Sequence, residues 1–163
     1  MAASQTWDVV KNRALRSPFN LFIMITTATQ NNFTLAVRLL EQNNLPTSDL
    51  TASTKLFLLE EGNDVLGTIA LEHEGTEGLL RSLCVSEKSR NTGVGQKLVE
   101  FIEDYARQQG VENLYLLTTT AANFFSNRGY GVTDRAEVSS FIATTSEFSS
   151  VCPSSATVML KKI

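Results

Sequence analysis

The sequence predicts an α+β fold: a central mixed, mostly antiparallel twisted sheet of about six to seven strands with helices on both faces. Three observations carry that expectation. Short apolar runs at Phe22–Thr27, Lys55–Glu60 and Val65–Glu72, set off by turn residues, lead into a fourth at Leu79–Val85, the pattern of an antiparallel meander. A long amphipathic segment then separates Leu79–Val85 from another apolar run at Leu114–Leu117, and a crossover of that length joins parallel strands. A last apolar run, Thr157–Lys161, follows a long polar stretch.

Composition narrows the function classes. The chain has 163 residues, enough for one compact domain with its own core. Apolar residues make up 42% and charged residues 19%, ordinary proportions for a soluble globular protein. The net charge is −3 with no basic run, which argues against nucleic acid as the main partner. No apolar stretch approaches the roughly 20 residues that span a bilayer, so no membrane partner is expected. Two cysteines, Cys84 and Cys152, are too few for a disulfide framework and no Cys-x-x-Cys occurs. A reducing, cytoplasmic setting is the default.

Residues 1–21 fit poorly with the rest and read as an N-terminal extension. Lys11, Arg13 and Arg16 face a single acid, Asp8. Three readings stay open: a transit peptide, a displaced start with Met24 as the natural one, and an extension that packs Trp7, Val9 and Val10 loosely on the surface. The few serines and the short length count against the first. The apolar piece Phe19–Ile25 is too short for a signal peptide and is interrupted by Asn20.

From residue 22 on, each element has a local reason. Phe22–Thr27 reads as the first strand. Thr29–Asn32 supplies cap candidates for a helix carrying Phe33, Leu35, Ala36, Leu39 and Leu40, ended by Asn43-Asn44-Leu45-Pro46. Thr47-Ser48-Asp49 looks like the cap of a short second helix. Lys55–Glu60, the turn Glu61–Asp64 and Val65–Glu72 form a hairpin, and His73–Thr76 turns the chain into Leu79–Val85. After the polar loop Ser86–Thr92, apolar side chains fall at Val94, Leu98, Phe101, Ile102, Tyr105 and Ala106, the spacing of an amphipathic helix, which Gly110 stops. Leu114–Leu117 is a buried strand. Ala121–Arg128 is a short helix ended by Gly129, and Tyr130–Thr133 begins another strand. Arg135–Ser150 is polar with one helical turn near Phe141, and Thr157–Lys161 is the last strand.

The junction Arg90-Asn91-Thr92-Gly93-Val94-Gly95 puts two glycines at the first turn of the long helix. A helix start carries unpaired N–H groups and the positive end of the dipole. Glycine lets a ligand approach that backbone, so strand, loop and helix together describe a main-chain cradle for phosphate. Gln96 extends its polar rim and Arg90 adds positive charge. Leu98 stands where a dinucleotide fingerprint needs its third glycine, and no Gly-Lys-Ser/Thr follows, so this is neither a GxGxxG site nor a P-loop. Taken alone, the six residues read equally well as a glycine-rich turn.

Arg-x-x-Gly-x-Gly after a strand ending in Val-Ser resembles the acyl-CoA-binding motif of the GNAT N-acetyltransferase superfamily. Ala121-Ala122-Asn123-Phe124-Phe125-Ser126-Asn127-Arg128-Gly129-Tyr130 is similar to that superfamily's second signature, Ala-x-x-Phe-Tyr-x-x-x-Gly-Phe. The resemblance narrows further. Glu41–Leu50, Leu79–Leu83, Leu116–Ala121 and Glu147–Ala156, with its Phe-Ser-Ser-x-Cys-Pro-x-Ser-Ala, resemble the small single-domain arsenic-resistance N-acetyltransferases. This similarity covers roughly residues 25–160 and implies an acetyltransferase domain over residues 22–163.

The resemblance implies acetyl-CoA as cosubstrate and acetyl transfer to the amine of a small molecule, with an arsenic-containing amino acid or related toxicant as acceptor. It leaves open an ordinary amino acid or amine, and a non-catalytic binder of acyl-CoA or arsenicals. Superfamily members often dimerise, so a homodimer is expected. The resemblance places pantetheine beside Leu83, Cys84 and Val85, with a backbone N–H near Val85 polarising the thioester carbonyl. It places the pyrophosphate on Asn91, Thr92, Gly93, Val94, Gly95 and Gln96, with Arg90, Thr118 and Phe124 also against the cofactor.

Acetyl transfer also needs a proton acceptor for the amine. Glu72, at a strand end where the family pattern has Gly-Leu-Glu, is the candidate; the competing reading is a solvated strand-end carboxylate. His73, the single histidine, suits by pKa but sits in a turn. The superfamily's usual general acid is a Tyr four residues before the signature glycine, and here that position is Phe125. Its usual Asn falls at Thr118. Ser126 or water is left to protonate the thiolate, unless it leaves unassisted. Arg81, alone in an apolar strand, reads either as a clamp for a substrate carboxylate or as the partner of an acid on a neighbouring strand. Arg135 is a weaker candidate for the clamp. Trivalent arsenic is soft and binds thiolates, which makes Cys152 a substrate-binding candidate, with structural packing as its alternative. Cys84 reads as core packing. No metal site is expected.

Overall fold

The computed structural model describes residues 15–16, 22–51 and 54–163. Its strands are β1 (Leu15–Arg16), β2 (Phe22–Thr27), β3 (Lys55–Glu61), β4 (Asp64–Glu74), β5 (Glu77–Val85), β6 (Asn113–Thr118), β7 (Gly131–Val132) and β8 (Thr157–Lys162). They form one sheet in the order β1-β2-β3-β4-β5-β6-β8-β7. β2 to β5 make the expected antiparallel meander, and β1, which the sequence reading did not foresee, adds to its edge. β5 and β6 pair in parallel, and β8 inserts antiparallel between β6 and β7. Apart from Leu15–Arg16, the N-terminal extension and its Trp7, Val9 and Val10 lie outside the described residues.

The helices are α1 (Phe33–Gln42), α2 (Val94–Gln108), α3 (Ala122–Ser126) and α4 (Ser140–Thr144). Side chains alternate across a strand, so β3 sends Phe57 and Leu59 to one face and Leu56 and Leu58 to the other. The first face packs on Val94, Leu98, Val99, Ile102 and Ala106 of α2 and on Phe125 of α3. The second is covered by Ala36 of α1 and, further along the sheet, by Ile142 of α4. Full burial of an apolar side chain contributes about 1.5–3 kcal/mol, so α2 is the main anchor of the fold.

Two departures from the sequence reading matter for the site. No helix forms at Thr47-Ser48-Asp49: the segment is a turn closed by the Leu50 N–H on the Thr47 carbonyl at 3.2 Å, and Asp49 is drawn to Arg81 instead. The stretch read as polar with one helical turn holds more structure. After α4 comes a π-helical turn over Glu147–Val151, in which the Cys152 N–H donates to the Glu147 carbonyl at 2.9 Å.

Candidate active site

β5 and β6 are held together only at Glu77, Gly78 and Leu79, opposite Asn113, Leu114 and Tyr115. Beyond that point both strands continue but diverge. The cause lies on the other side of β5. Cys84 pairs with Thr68 and Arg81 with Ala70, so Ser82 and Leu83 stand opposite Ile69 alone. This is a β-bulge, with Ser82 at φ +55° and its carbonyl accepting from Thr68 Oγ1 at 2.9 Å. Bulges bend the strand that carries them. The gap becomes a cleft of about 290 Å³, lined by Leu80–Leu83 of β5, Leu116–Ala121 of β6 and the loop after it, Phe125 of α3, Asn44–Pro46, and Glu147 with Val151–Pro153.

α2 begins at the open end of this splay, without a side-chain cap. Its N-cap residue, Gly93, sits at φ +86°, a conformation that strains any residue with a Cβ. The first helical bond runs from the Lys97 N–H to the Gly93 carbonyl at 3.1 Å, so the amides of Val94, Gly95 and Gln96 precede the hydrogen-bond ladder. A Cβ on Gly95 would lie 3.4 Å from the Phe124 ring and 3.5 Å from Val85, so this turn, β5 and α3 meet at one corner. The loop before it is fixed locally: Thr92 Oγ1 donates to the Ser89 carbonyl at 2.6 Å, and Asn91 takes φ +61°. An anionic group fits this uncapped, glycine-lined start.

The flanking groups sort as follows. Ser86 N–H donates to the Leu66 carbonyl at 2.8 Å on the β4 side. Successive strand amides face opposite sides, which turns the Val85 N–H toward the splay. Leu83 lines the cleft. Cys84 points to α1, its Sγ 3.8 Å from the Leu39 carbonyl, and burial, partly offset by the charge of Arg90, pushes its thiol up to about 11. It is a packing residue on its side-chain face. Arg90 is exposed and donates to Asn43 Oδ1 at 2.5 Å. The Gln96 side chain is bonded to Glu100. Thr118 lines the cleft and caps the following turn, accepting from the Ala121 N–H at 2.9 Å. Phe124 is half-buried under the guanidinium of Arg128, 3.5 Å from its ring centroid.

In the cleft wall, and reaching behind it, lies a buried ionic cluster. Arg81 is 3% exposed. Its Nη2 is 2.7 Å from Asp49, its Nη1 is 2.6 Å from Glu72 and its Nε is 2.9 Å from Glu147, the last an ion pair without hydrogen-bond alignment. Burial alone would lower the pKa of Arg81, but the charge of Glu147 and hydrogen bonds to Glu72 and Asp49 outweigh it and hold the guanidinium charged. Three carboxyls around one cation cannot all ionise easily. The surplus appears at Glu147: burial, together with the charges of Asp49 and Glu72 and against the pull of Arg81, raises it to about 7. Cys152 Sγ lies 3.7 Å from Glu147 Oε1, and burial with that carboxylate beside it pushes the thiol up to about 11.

This geometry revises several roles read from sequence. Arg81 is the partner of acids, not a free clamp for a substrate carboxylate, because a carboxylate already faces each of its three nitrogens. Glu72 is turned to Arg81 and to Thr54 Oγ1, 3.2 Å away, and does not line the cleft. Ser126 is exposed outside the cleft, whereas Phe125 lines it. His73 is exposed. Arg135, half-buried, stacks on Phe148 and donates to its carbonyl at 2.7 Å. Cys152 does line the cleft. Asp49 and Glu147 were missed. Glu147 had a signal: it is the one charged residue between Glu137 and Lys161.

Known proteins give the arrangement a family. The model of the acetyltransferase (GNAT) family matches residues 23–130. A probable N-acetyltransferase 14 of Xenopus tropicalis is 37% identical over 79 residues, 44% of this chain and 37% of that protein. An amino-acid acetyltransferase of Pseudomonas putida (strain GB-1) is 43% identical over 53 residues, 32% of this chain and 12% of that protein. The match thus spans well under half the length of either relative. The N-acetylglutamate synthase of Neisseria gonorrhoeae, solved with coenzyme A and L-arginine, superposes with a TM-score of 0.73 at 20% identity, covering 87% of this chain and 33% of that one; the likeness is one of fold. Because the family model takes in the meander, the splay, the glycine turn and the second signature, about two thirds of all residues, the chain belongs to the GNAT acetyltransferase family.

Proposed function

We propose that this protein transfers an acetyl group from acetyl-CoA to the amine of a small molecule. The observation that carries the reading is the splay of β5 from β6 with the uncapped, glycine-lined start of α2 at its mouth. The amides of Val94, Gly95 and Gln96 would hold the pyrophosphate. The Val85 N–H, turned to the splay, would polarise the thioester carbonyl, a contribution of the oxyanion type. The cleft wall at Leu83 and Thr118 would seat the acyl end and exclude water.

The resemblance to arsenic-resistance N-acetyltransferases extends the reading to an arsenic-containing amino acid or related toxicant as acceptor. The amino-acid acetyltransferase relatives support the neighbouring choice, an ordinary amino acid or amine. A domain over residues 22–163, a reducing cytoplasmic setting and a homodimer accompany the proposal. Both described cysteines are free, and among the described residues no helix is long and apolar enough to cross a membrane. A second reading, a non-catalytic acyl-CoA binder, draws support from Phe125, which lines the cleft where the family motif offers a phenol.

Thiol release from acetyl-CoA, followed with a colour reagent across amino acids, simple amines and organoarsenicals, tests the proposal. Release with one class of amine is the expected result. Tight acetyl-CoA binding without release across the panel would favour the binder.

A further inference from the structure

Arg81 and Glu147 are the two charged residues among those lining the cleft, and carboxylates already face all three nitrogens of Arg81. An ammonium entering the cleft therefore has one carboxyl to meet. We propose that Glu147 is the proton acceptor for the acceptor amine and that Arg81 positions it. The inference rests on the reading of the chain as an N-acetyltransferase. It assigns a residue beyond the segment matched by the family model, which ends at residue 130.

The placement is specific. Glu147 opens the π-helical turn, and such turns frequently mark functional sites. Its residue is 7% exposed, and the Nε of Arg81 lies 2.9 Å from Oε2 while the Sγ of Cys152 lies by Oε1. The titratable and charged groups facing it are Arg81 of β5, Asp49 of the loop after α1, Glu72 of β4 and Cys152 of its own turn. Asp49 and Glu72 approach Arg81 from outside the cleft. Among the described residues no group of His, Cys, Asp or Glu is arranged to hold a metal ion. The cluster leaves one carboxyl of near-neutral pKa at the cleft wall, where a general base works best.

The protons balance without a side-chain acid. The ammonium gives one proton to the Glu147 carboxylate. The freed nitrogen lone pair attacks the thioester carbonyl carbon, forming the C–N bond. The C–S bond breaks as the carbonyl re-forms, and the CoA thiolate leaves with the electron pair of that bond. The second nitrogen proton goes to the thiolate, giving free CoA thiol and the amide. Glu147 then releases its proton to water. Phe125 is thereby no obstacle.

The test measures kcat/KM against pH for the best primary amine of a panel from ethanolamine to phenethylamine, with acetyl-CoA affinity by calorimetry. In the wild type the active form pairs ionised Glu147 with ammonium, so the rate climbs to about 7 and stays level up to the amine's own pKa. In Glu147→Gln only free amine reacts: the plateau disappears, the rate tracks the free-amine fraction, and kcat/KM near neutrality falls by about 100-fold or more with acetyl-CoA affinity unchanged. His73→Gln keeps the wild-type profile. A plateau that survives in Glu147→Gln overturns the assignment and leaves the transferase reading standing. A wild type that binds acetyl-CoA but releases no thiol with any amine removes the transferase reading, and the assignment with it. Should the Gln variant not fold, the wild-type profile decides: no acid limb near neutrality overturns the proposal.

Discussion

Among the described residues, two buried ionic clusters brace this fold, and they differ in the sign of their surplus. At the cleft wall, one cation, Arg81, serves three carboxyls. Under the other half of the sheet, one carboxylate, Glu103 of α2, accepts from Lys161 of β8 at 2.8 Å on both oxygens and from the Tyr130 hydroxyl at 3.0 Å, with Arg107 3.8 Å away. Both clusters tie distant segments together. In the second, burial and the charge of Glu103 push the Tyr130 phenol far up, so it stays a neutral donor. In the first, burial, with the charges of Asp49 and Glu72 added, lifts one carboxyl, Glu147, to about 7. Similar side chains build a brace in one place and a poised group in the other, and burial together with the balance of opposite charges makes the difference.

The comparison breaks first at Arg81. Arg81→Met removes the one cation in contact with Asp49, Glu72 and Glu147, and stranding buried charges costs about 3–5 kcal/mol. The free energy of urea unfolding at neutral pH should drop by that amount, and by less in acid, where protonated carboxyls need no partner. A loss under about 1 kcal/mol would mean that the three carboxyls are hydrated, and the contrast between the clusters would collapse.

Stability against pH sharpens the same contrast. Glu147 titrates at about 7 in the fold, above its ordinary 4.5. Between those values the folded state still holds a proton that the unfolded chain has released, so stability is full below the lower value and falls as pH rises through the window. Linkage caps the loss at about 3 kcal/mol. Thermal unfolding should therefore show a decline between acid and neutral pH that Glu147→Gln flattens. An identical decline in the variant would assign it to other groups. Next in size, Glu103→Ala unpairs Lys161 and Tyr130. The Lys161 side chain is 23% exposed and its ammonium can turn to water, so about 2 kcal/mol is expected from urea unfolding, clearly less than at Arg81.

The sequence is informative where cause and effect are neighbours. Apolar runs and turn residues announce β2 to β6, and the α2 pattern of Val94, Leu98, Ile102 and Ala106 matches the buried face of the helix. Arg81 in an apolar strand demands an acid, and Glu72 on the adjacent strand answers. The two other partners are not tied to Arg81 by anything local. Asp49, 32 residues away, sits in a Thr-Ser-Asp string that mimics a helix cap, and a tertiary ion pair overrides that propensity. Glu147 lies in a π-turn, which no periodicity predicts, and its isolation within an uncharged stretch is a signal only once the fold brings it to Arg81. The insertion of β8 between β6 and β7 was equally invisible, since strand order depends on contacts far apart in the chain.

The smallest effects come from the neutral donor of each cluster, and they separate a brace from a poised group most finely. Tyr130→Phe deletes a hydroxyl bonded to Glu103 at 3.0 Å, and with Lys161 still in place the loss should be about 1 kcal/mol. Cys152→Ala deletes a longer contact, 3.7 Å from sulfur to Glu147 Oε1, so the loss of stability should be smaller still. Its signature lies elsewhere. The thiol, pushed up to about 11, stays protonated near neutrality and donates to the carboxylate, which lowers the pKa of Glu147. Removing it should move the acid limb of kcat/KM upward without abolishing turnover, because Glu147 and Arg81 remain. Abolished turnover with intact acetyl-CoA binding would make Cys152 a participant in the chemistry, and the Arg81 cluster would then hold two reacting groups rather than one.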